Sequence, residues 1–243
     1  MKIAIVGYGK MGRRIAELAP VYGFEVGEII DNESEWSEKA EKLSECAVAF
    51  EFSTPDTAKH NVMRLLEMGL DVVCGTTGWG QGVAEAEELA LSKGKGLMVV
   101  SNFSIGMNLF FLINRYVGDL MSSLPGYEPS IKEIHHVHKL DTPSGTARTM
   151  ADDLQQVIAK AKKGGSCGCG CNDVVEVPIE SIREGEVTGT HSVKWAGSED
   201  IISVQHEALN RDGFVKGALA AARWLHGRKG SYSMYDLLFE PKE

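Results

Sequence analysis

The chain has 243 residues, 43% of them hydrophobic and 24% charged, with 34 acidic against 25 basic side chains for a formal net charge of −9. That length and composition fit a globular protein of one large or two modest domains with a substantial core. The acidic balance argues against a general nucleic-acid binder, which presents a net basic face, and no apolar run approaches the roughly 18 residues of a membrane helix. The N-terminus has no long apolar segment of the signal-peptide kind, so a soluble, cytoplasmic protein is expected.

In chain order, "KIAIV" (2–6) reads as a β-branched strand that runs into "GYGKMG" and then a helical pattern, "RRIAELAPVYG". Strands follow at "FEVGEIID" (24–31), "AVAFEFS" (47–53), "DVVCG" (71–75) and "LMVVS" (97–101). Helical patterns at "TAKHNVMRLLEMG" and "GVAEAEELALSKG" separate the later ones. Strand and helix alternating across short glycine or proline breaks predict a parallel sheet with right-handed crossovers. After residue 106 the rhythm changes. "MNLFFLINRYVGDLM" reads as a helix, "SIKEIHHVHKL" as a strand and "PSGTARTMADDLQQVIAKAKK" as a long helix. "VVEVPIESIREG" and "TGTHSVKWAGSEDIISVQHEA" then read as strands with no helix between them, for which antiparallel pairing is expected. "GFVKGALAAARWLHG" closes with an amphipathic helix. The expected class is α/β: an N-terminal Rossmann-type parallel sheet, then a second α+β domain with a mixed or antiparallel sheet. The first domain is expected to end near residue 106, and the pattern leaves open where the terminal helix attaches.

The first loop spaces Gly7, Gly9 and Gly12 as G-x-G-x-x-G between a strand and a helix. The first glycine makes a tight turn, the second lets a pyrophosphate reach the backbone, and the third lets helix and strand pack closely. The helix behind them points its free amides at the phosphates. Gly7, Tyr8, Gly9, Lys10, Met11 and Gly12 are therefore expected to bind a dinucleotide. Asp31, 19 residues past Gly12 and ending the second strand, suits the adenosine ribose hydroxyls. With Asn32 and Glu33 after it and no adjacent arginine, NADH is expected to be preferred, with NADPH possible. Ligands in such sheets lie beyond the carboxyl ends of the strands. That adds Gly75, Thr76 and Thr77 of "GTTG", and Val100, Ser101, Asn102 and Phe103 around "SNFS".

"EIHHVHKLDTPSGTA" (133–147) crowds three of the chain's seven histidines and a lysine into five positions. An extended 131–139 would set His135, Val137 and Lys139 on one face and Ile134, His136 and His138 on the other. Thr142 would cap the next helix with Pro143 in its first position, and the Ser144–Gly145–Thr146 turn would offer free amides to a carboxylate. A group titrating near neutrality, a cation and an anion cradle together suit proton delivery to a carboxylate-bearing substrate. Metal binding by His136 and His138 is disfavoured because no carboxylate lies within the histidine run, and no metal is expected. Cys46 and Cys74 read as buried small hydrophobes. Cys167, Cys169 and Cys171 in "KKGGSCGCGCND" read as a reduced surface loop, or less readily as a soft-metal site.

The segment 133–147 resembles the E-x-H-H-x-x-K-x-D-x-P-S-G-T-A signature of the dihydrodipicolinate reductases, also called 4-hydroxy-tetrahydrodipicolinate reductases. "GYGKMG", "CGTTGW", "SNFSIGMN", "GTHSV" and "QHEALNRDGF" support it in the family's order across essentially the whole chain. The resemblance implies NAD(P)H-dependent reduction of a cyclic dicarboxylate imine in the diaminopimelate and lysine pathway. It implies His135 as the acid/base histidine, Lys139 as proton donor, and His136, Gly145 and Thr146 at a substrate carboxylate. It implies a homotetramer joined through the second-domain sheets, with the final helix returning to the nucleotide domain, so that 1–106 with 212–243 binds the dinucleotide and 107–211 serves substrate binding and oligomerisation. Val137, where many members carry a basic residue, and the Cys-Gly segment depart from the pattern. Another two-domain NAD-dependent dehydrogenase, or a non-catalytic NADH-binding sensor, are the competing readings.

Overall fold

The computed structural model describes residues 1–164 and 176–240, and the chain divides into two compact units, Met1–Ile105 with Asp212–Glu243, and Gly106–Arg211. The Cys167, Cys169 and Cys171 loop lies outside the described residues.

The first unit holds β1 (Lys2–Val6), α1 (Lys10–Leu18), β2 (Glu25–Ile30), α2 (Glu33–Leu43), β3 (Val48–Glu51), α3 (Pro55–Glu67), β4 (Asp71–Cys74), α4 (Gly82–Lys93) and β5 (Gly96–Val99). The strands pair in parallel in the order β5-β4-β3-β1-β2. Alternate side chains of these buried strands enter opposite layers, as a sheet covered on both faces requires. Ile3, Ile5, Phe50, Val73 and Met98 pack on one side with Ile15 of α1. Ala4, Val6, Ala49, Val72 and Leu97 pack on the other with Trp36 of α2, Val62 and Leu65 of α3, and Ala86 and Ala90 of α4. Cys74 joins the second layer and Cys46 its edge, both as free buried thiols.

The last segment of the chain completes this unit. Helix α7 (Asp212–Leu225) buries Val215, Ala218, Ala221, Ala222 and Leu225 in the first layer. Gly217 is needed there, because a Cβ would collide with the Phe103 carbonyl. Arg14 of α1 grips the Asp212 carboxylate through two nitrogens at 2.8 and 2.9 Å. A short strand, β10 (Gly230–Ser231), adds to β5, and a short helix, α8 (Met234–Phe239), follows.

The second unit holds α5 (from Ile105 to Met121), β6 (Glu128–His135), α6 (Gly145–Gly164), β7 (Ile179–Arg183), β8 (Thr190–Ala196) and β9 (Ile201–Glu207), with sheet order β7-β6-β8-β9. Met107 and Phe110 of α5, Met150 and Leu154 of α6, and Ile131, Val193 and Trp195 of the sheet form its core.

Four sequence expectations need correction. The strand expected over 131–139 ends at His135, and the Lys139 amide instead bonds the His136 carbonyl across a turn. The strand at 179–183, expected to pair antiparallel with the piece that follows it, instead pairs as β7 in parallel with β6, α6 being the crossover between them; within the following piece β8 and β9 are antiparallel. Helix α6 begins at Gly145, and Ser144 rather than Thr142 caps it: its hydroxyl accepts the Ala147 amide at 3.2 Å. Helix α2 was not foreseen. Its eleven-residue span is mostly charged and buries only Trp36 and Leu43, so apolar periodicity is faint. Asn32 caps it by accepting the Glu35 amide.

Candidate active site

In the first unit, strand order reverses between β2-β1 and β3, so connections on either side of β1 leave the sheet in opposite directions. A crevice opens there beyond the strand ends, the usual ligand position in such sheets. A cleft of about 400 Å³ occupies it, lined by Gly7, Tyr8, Gly9, Asp31, Trp36 and Ser53 among others. A Cβ on Gly7 would strike the Phe52 and Ser53 backbone, and one on Gly12 the Gly7 carbonyl. Packing alone therefore demands those two glycines. At Gly9 a Cβ would meet nothing within 4 Å, so the bareness of that position leaves room for a ligand rather than for protein. The cradle fits a dinucleotide pyrophosphate at the start of α1. Lys10 and Met11 begin the helix itself, Lys10 exposed and Met11 half-buried against the core.

Asp31 accepts the Tyr8 amide at 2.7 Å, which ties the glycine loop to the end of β2. Arg13 lies over the Tyr8 ring, 4.7 Å from its centroid. Arg64 pairs with Glu33 at 2.8 Å and lies over the Trp36 ring, and Lys39 pairs with Glu35 at 2.9 Å.

The other expected nucleotide residues are placed unequally. A Cβ on Gly75 would run into the Phe52 ring. Thr76 is buried and Thr77 exposed; Val100 is half-buried and Ser101 exposed. The Asn102 side chain accepts the Ser104 amide at 2.9 Å. The Phe103 ring belongs to the core, 5.9 Å from Phe52, so only its backbone is available to a ligand.

In the second unit, the end of the β6 face is polar. His135 is 7% exposed and Glu133 fully buried beside it, two residues apart on the same side of the strand. The imidazole Nδ1 lies 3.2 Å from a Glu133 carboxylate oxygen. The other Glu133 oxygen accepts the Ser144 amide at 3.0 Å and the Arg183 guanidinium at 3.3 Å. His191 of β8 stacks edge-on to His135 with centroids 4.9 Å apart and reaches Ser144 at 3.3 Å. Gly189 borders the His135 Nε2, where a Cβ would lie 3.0 Å away.

Burial pushes the His135 pKa down, the Glu133 charge pushes it back up, Lys139 and Arg183 lower it again, and the balance falls below the ordinary value. Burial likewise acts to raise Glu133, but the Ser144 hydrogen bonds help to outweigh it and the carboxyl stays ionised at lower pH than usual. Glu133, His135 and His191 bring one ligand atom each within 4.8 Å of one another. The adjacent Arg183 and Lys139 charges oppose a metal cation there.

The turn beyond β6 carries the remaining residues. Lys139 pairs with Asp141 at 2.7 Å, and Asp141 also takes the Gly145 amide at 3.4 Å. The helix mouth is therefore partly filled by the protein's own carboxylates. Gly145 is exposed and Thr146 half-buried at its rim. The ring of His136 lies 6.0 Å from that of His138. Sequence reasoning missed Glu133, Arg183 and His191 as site residues, and had the Ser144 amide free for a substrate carboxylate where Glu133 takes it. The two-residue spacing of Glu133 and His135 is a local signal that could have revealed the first; the other two come from strands distant in sequence.

The model of the dihydrodipicolinate reductase N-terminus matches residues 1–103, and that of its C-terminus residues 106–238. A 4-hydroxy-tetrahydrodipicolinate reductase of Christiangramia forsetii is 37% identical over 98% of both chains. The chain belongs to the dihydrodipicolinate reductase family. A reductase of the same name from Methanopyrus kandleri is 36% identical over 80% of this chain and 72% of its own. Among solved structures, a dipicolinate-bound dihydrodipicolinate reductase from Paenisporosarcina shares the fold at a TM-score of 0.72 and 21% identity, covering 98% of this chain and 99% of that one. As a dihydrodipicolinate reductase, the protein is an NAD(P)H-dependent oxidoreductase that reduces 4-hydroxy-tetrahydrodipicolinate to tetrahydrodipicolinate.

Proposed function

We propose that His135 and Lys139 deliver the proton in this reduction, and that NADH is the preferred donor. The conversion needs a hydride, a proton and loss of the ring hydroxyl as water. NAD(P)H, when bound, supplies the hydride. The residues of the protein hold the substrate and place the proton. The single observation that carries the reading is the buried pair of His135 and Glu133 immediately before the Lys139 turn, at the mouth of α6. An imidazole there can hold a proton within a family whose substrates are dicarboxylates. His136, Gly145 and Thr146 bind a substrate carboxylate; the dipicolinate held by the Paenisporosarcina relative is a planar dicarboxylate of that kind.

Residues 1–106 with 212–243 bind the dinucleotide through Gly7 to Gly12, Asp31, Gly75 to Thr77 and Val100 to Phe103, and 107–211 bind substrate. The acidic end of β2 supports NADH: a 2′-phosphate would meet Asp31 and Glu33, with Arg64 and Lys39 paired to glutamates and Arg13 stacked over Tyr8. A homotetramer is supported by apolar side chains left open on the second unit, Leu109, Ile113, Tyr116 and Leu120 along α5 and Ile201 and Ile202 on β9. No helix among the described residues is long and apolar enough to cross a membrane. A biosynthetic reductase of this kind belongs in the cytoplasm.

The test generates the substrate by condensing pyruvate with aspartate semialdehyde and follows absorbance of NADH and NADPH in parallel. NADH consumption with the higher kcat/KM is expected. Equal or better kcat/KM with NADPH overturns the preference.

A further inference from the structure

We infer that Glu133 is a positioning residue for proton transfer: its buried carboxylate fixes the imidazole of His135 and, through Arg183, the turn that bears Lys139. The inference deepens the proposed function and rests on His135 and Lys139 acting there.

Three observations carry it. First, Glu133 is fully buried, which is costly for a carboxylate unless its oxygens find partners. Both oxygens are aimed at the site. One takes the Ser144 amide and Arg183, and the other faces His135 at 3.2 Å without the alignment of a formed hydrogen bond. Pairs of this kind commonly tighten when substrate arrives.

Second, Arg183 spends its donors on the turn. From β7 it reaches the Lys139 carbonyl at 3.4 Å, the Asp141 carbonyl at 2.6 Å and the Thr142 hydroxyl at 2.9 Å. The guanidinium that neutralises Glu133 thus also anchors the backbone carrying Lys139, and its rigid fork suits that work better than a lysine could.

Third, the pocket leaves the imidazole little freedom. Gly189 borders Nε2 with no side chain to hold it and His191 lies edge-on against the ring, so Glu133 at Nδ1 sets its orientation. The charged and titratable groups facing His135 are Glu133 from β6, Arg183 from β7, His191 from β8, and Lys139 and Asp141 from the turn. Glu133 comes first among those that favour the protonated ring. Without it, burial, Lys139 and Arg183 would lower His135 further and shrink the protonated fraction that donates.

The decisive variant is Glu133→Gln, which keeps size and removes charge, with Glu133→Asp as the conservative rescue and His135→Ala as reference. In Glu133→Gln, kcat should fall about a hundredfold, the scale of a misplaced catalytic group. NADH affinity should hold. His135 donates when protonated, so activity is lost as pH rises through its pKa. Removing the Glu133 charge lowers that pKa, and the alkaline limb of kcat/KM should move to lower pH. Glu133→Asp should restore much of the limb. Unchanged kcat with an unshifted limb in Glu133→Gln overturns the inference while the proposed function stands. A fall in kcat with an unshifted limb also overturns it, reducing Glu133 to a structural support. Wild-type turnover in His135→Ala overturns the reading underneath. Should Glu133→Gln not fold, Arg183→Lys decides: a kcat loss with NADH affinity intact is expected, and an unchanged kcat overturns the inference.

Discussion

His191 is 5% exposed behind His135, and burial followed by the His135 charge holds its pKa down at about 4 against an ordinary 6.5. In the unfolded chain the same ring takes a proton below its ordinary pKa, so the unfolded state binds more protons as pH falls. Stability is therefore intact above the unfolded pKa and is lost as pH drops toward the folded one, by up to about 3 kcal/mol for this group. His135 shifts in the same direction and adds to the loss. Urea unfolding followed across pH 4 to 6.5 should show the decline, and His191→Asn should flatten it. For catalysis, His135→Ala and Lys139→Ala should each lower kcat by about two to four orders of magnitude, the range for a removed acid. Steady-state kinetics beside equilibrium NADH titration checks this, since the binding constant should hardly move.

At the scale of elements, the proposed function puts the ligand chemistry at two helix starts. At α1, Gly7 and Gly12 answer to packing, while Gly9 has open space about it. Gly9→Ala should fold with an unchanged Tm yet weaken NADH by about tenfold or more, which is about 1.4 kcal/mol. Fluorescence titration with a thermal melt on the same sample separates the two effects. At α6, the Ser144 hydroxyl caps the Ala147 amide while its own amide serves Glu133. Ser144→Ala should cost about 1 kcal/mol from the lost cap. That would appear as a Tm lower by about 2–4 °C in a chain of this size. Both starts follow strands whose last residues point at the site, so strand and helix place the chemistry together.

On the scale of the whole molecule, the chain leaves the first unit after Ile105 and comes back at Asp212. The return matters energetically because α7 supplies a buried apolar face to one side of the parallel sheet. Each of its larger core side chains contributes about 1.5–3 kcal/mol on burial. That is a large share of the about 5–15 kcal/mol by which domains are stable. A chain ending at Arg211 should therefore lose cooperative unfolding in circular dichroism and expose aggregation-prone surface in size-exclusion chromatography. Much of this architecture was legible beforehand. The strands at 2–6, 47–53, 71–75 and 97–101 announce themselves as short, mostly apolar runs, because a doubly covered sheet leaves few polar positions, buried Glu51 and Asp71 being exceptions. Helix α2 was not legible, because it is held by caps and two buried side chains rather than a broad apolar stripe.

The catalytic neighbourhood divides the same way. Local spacing by itself determined the glycine cradle, Asp31 at the end of β2, and the crowding of His135, His136 and Lys139. Turn geometry and backbone approach depend on residues close in the chain. Only tertiary structure decided that β6 stops at His135 and that β7 runs parallel to it. It also brought Arg183 and His191 to Glu133 from strands roughly fifty residues away. Charges buried at such a meeting are recognised by their partners, and a string of residues does not show which partners those are.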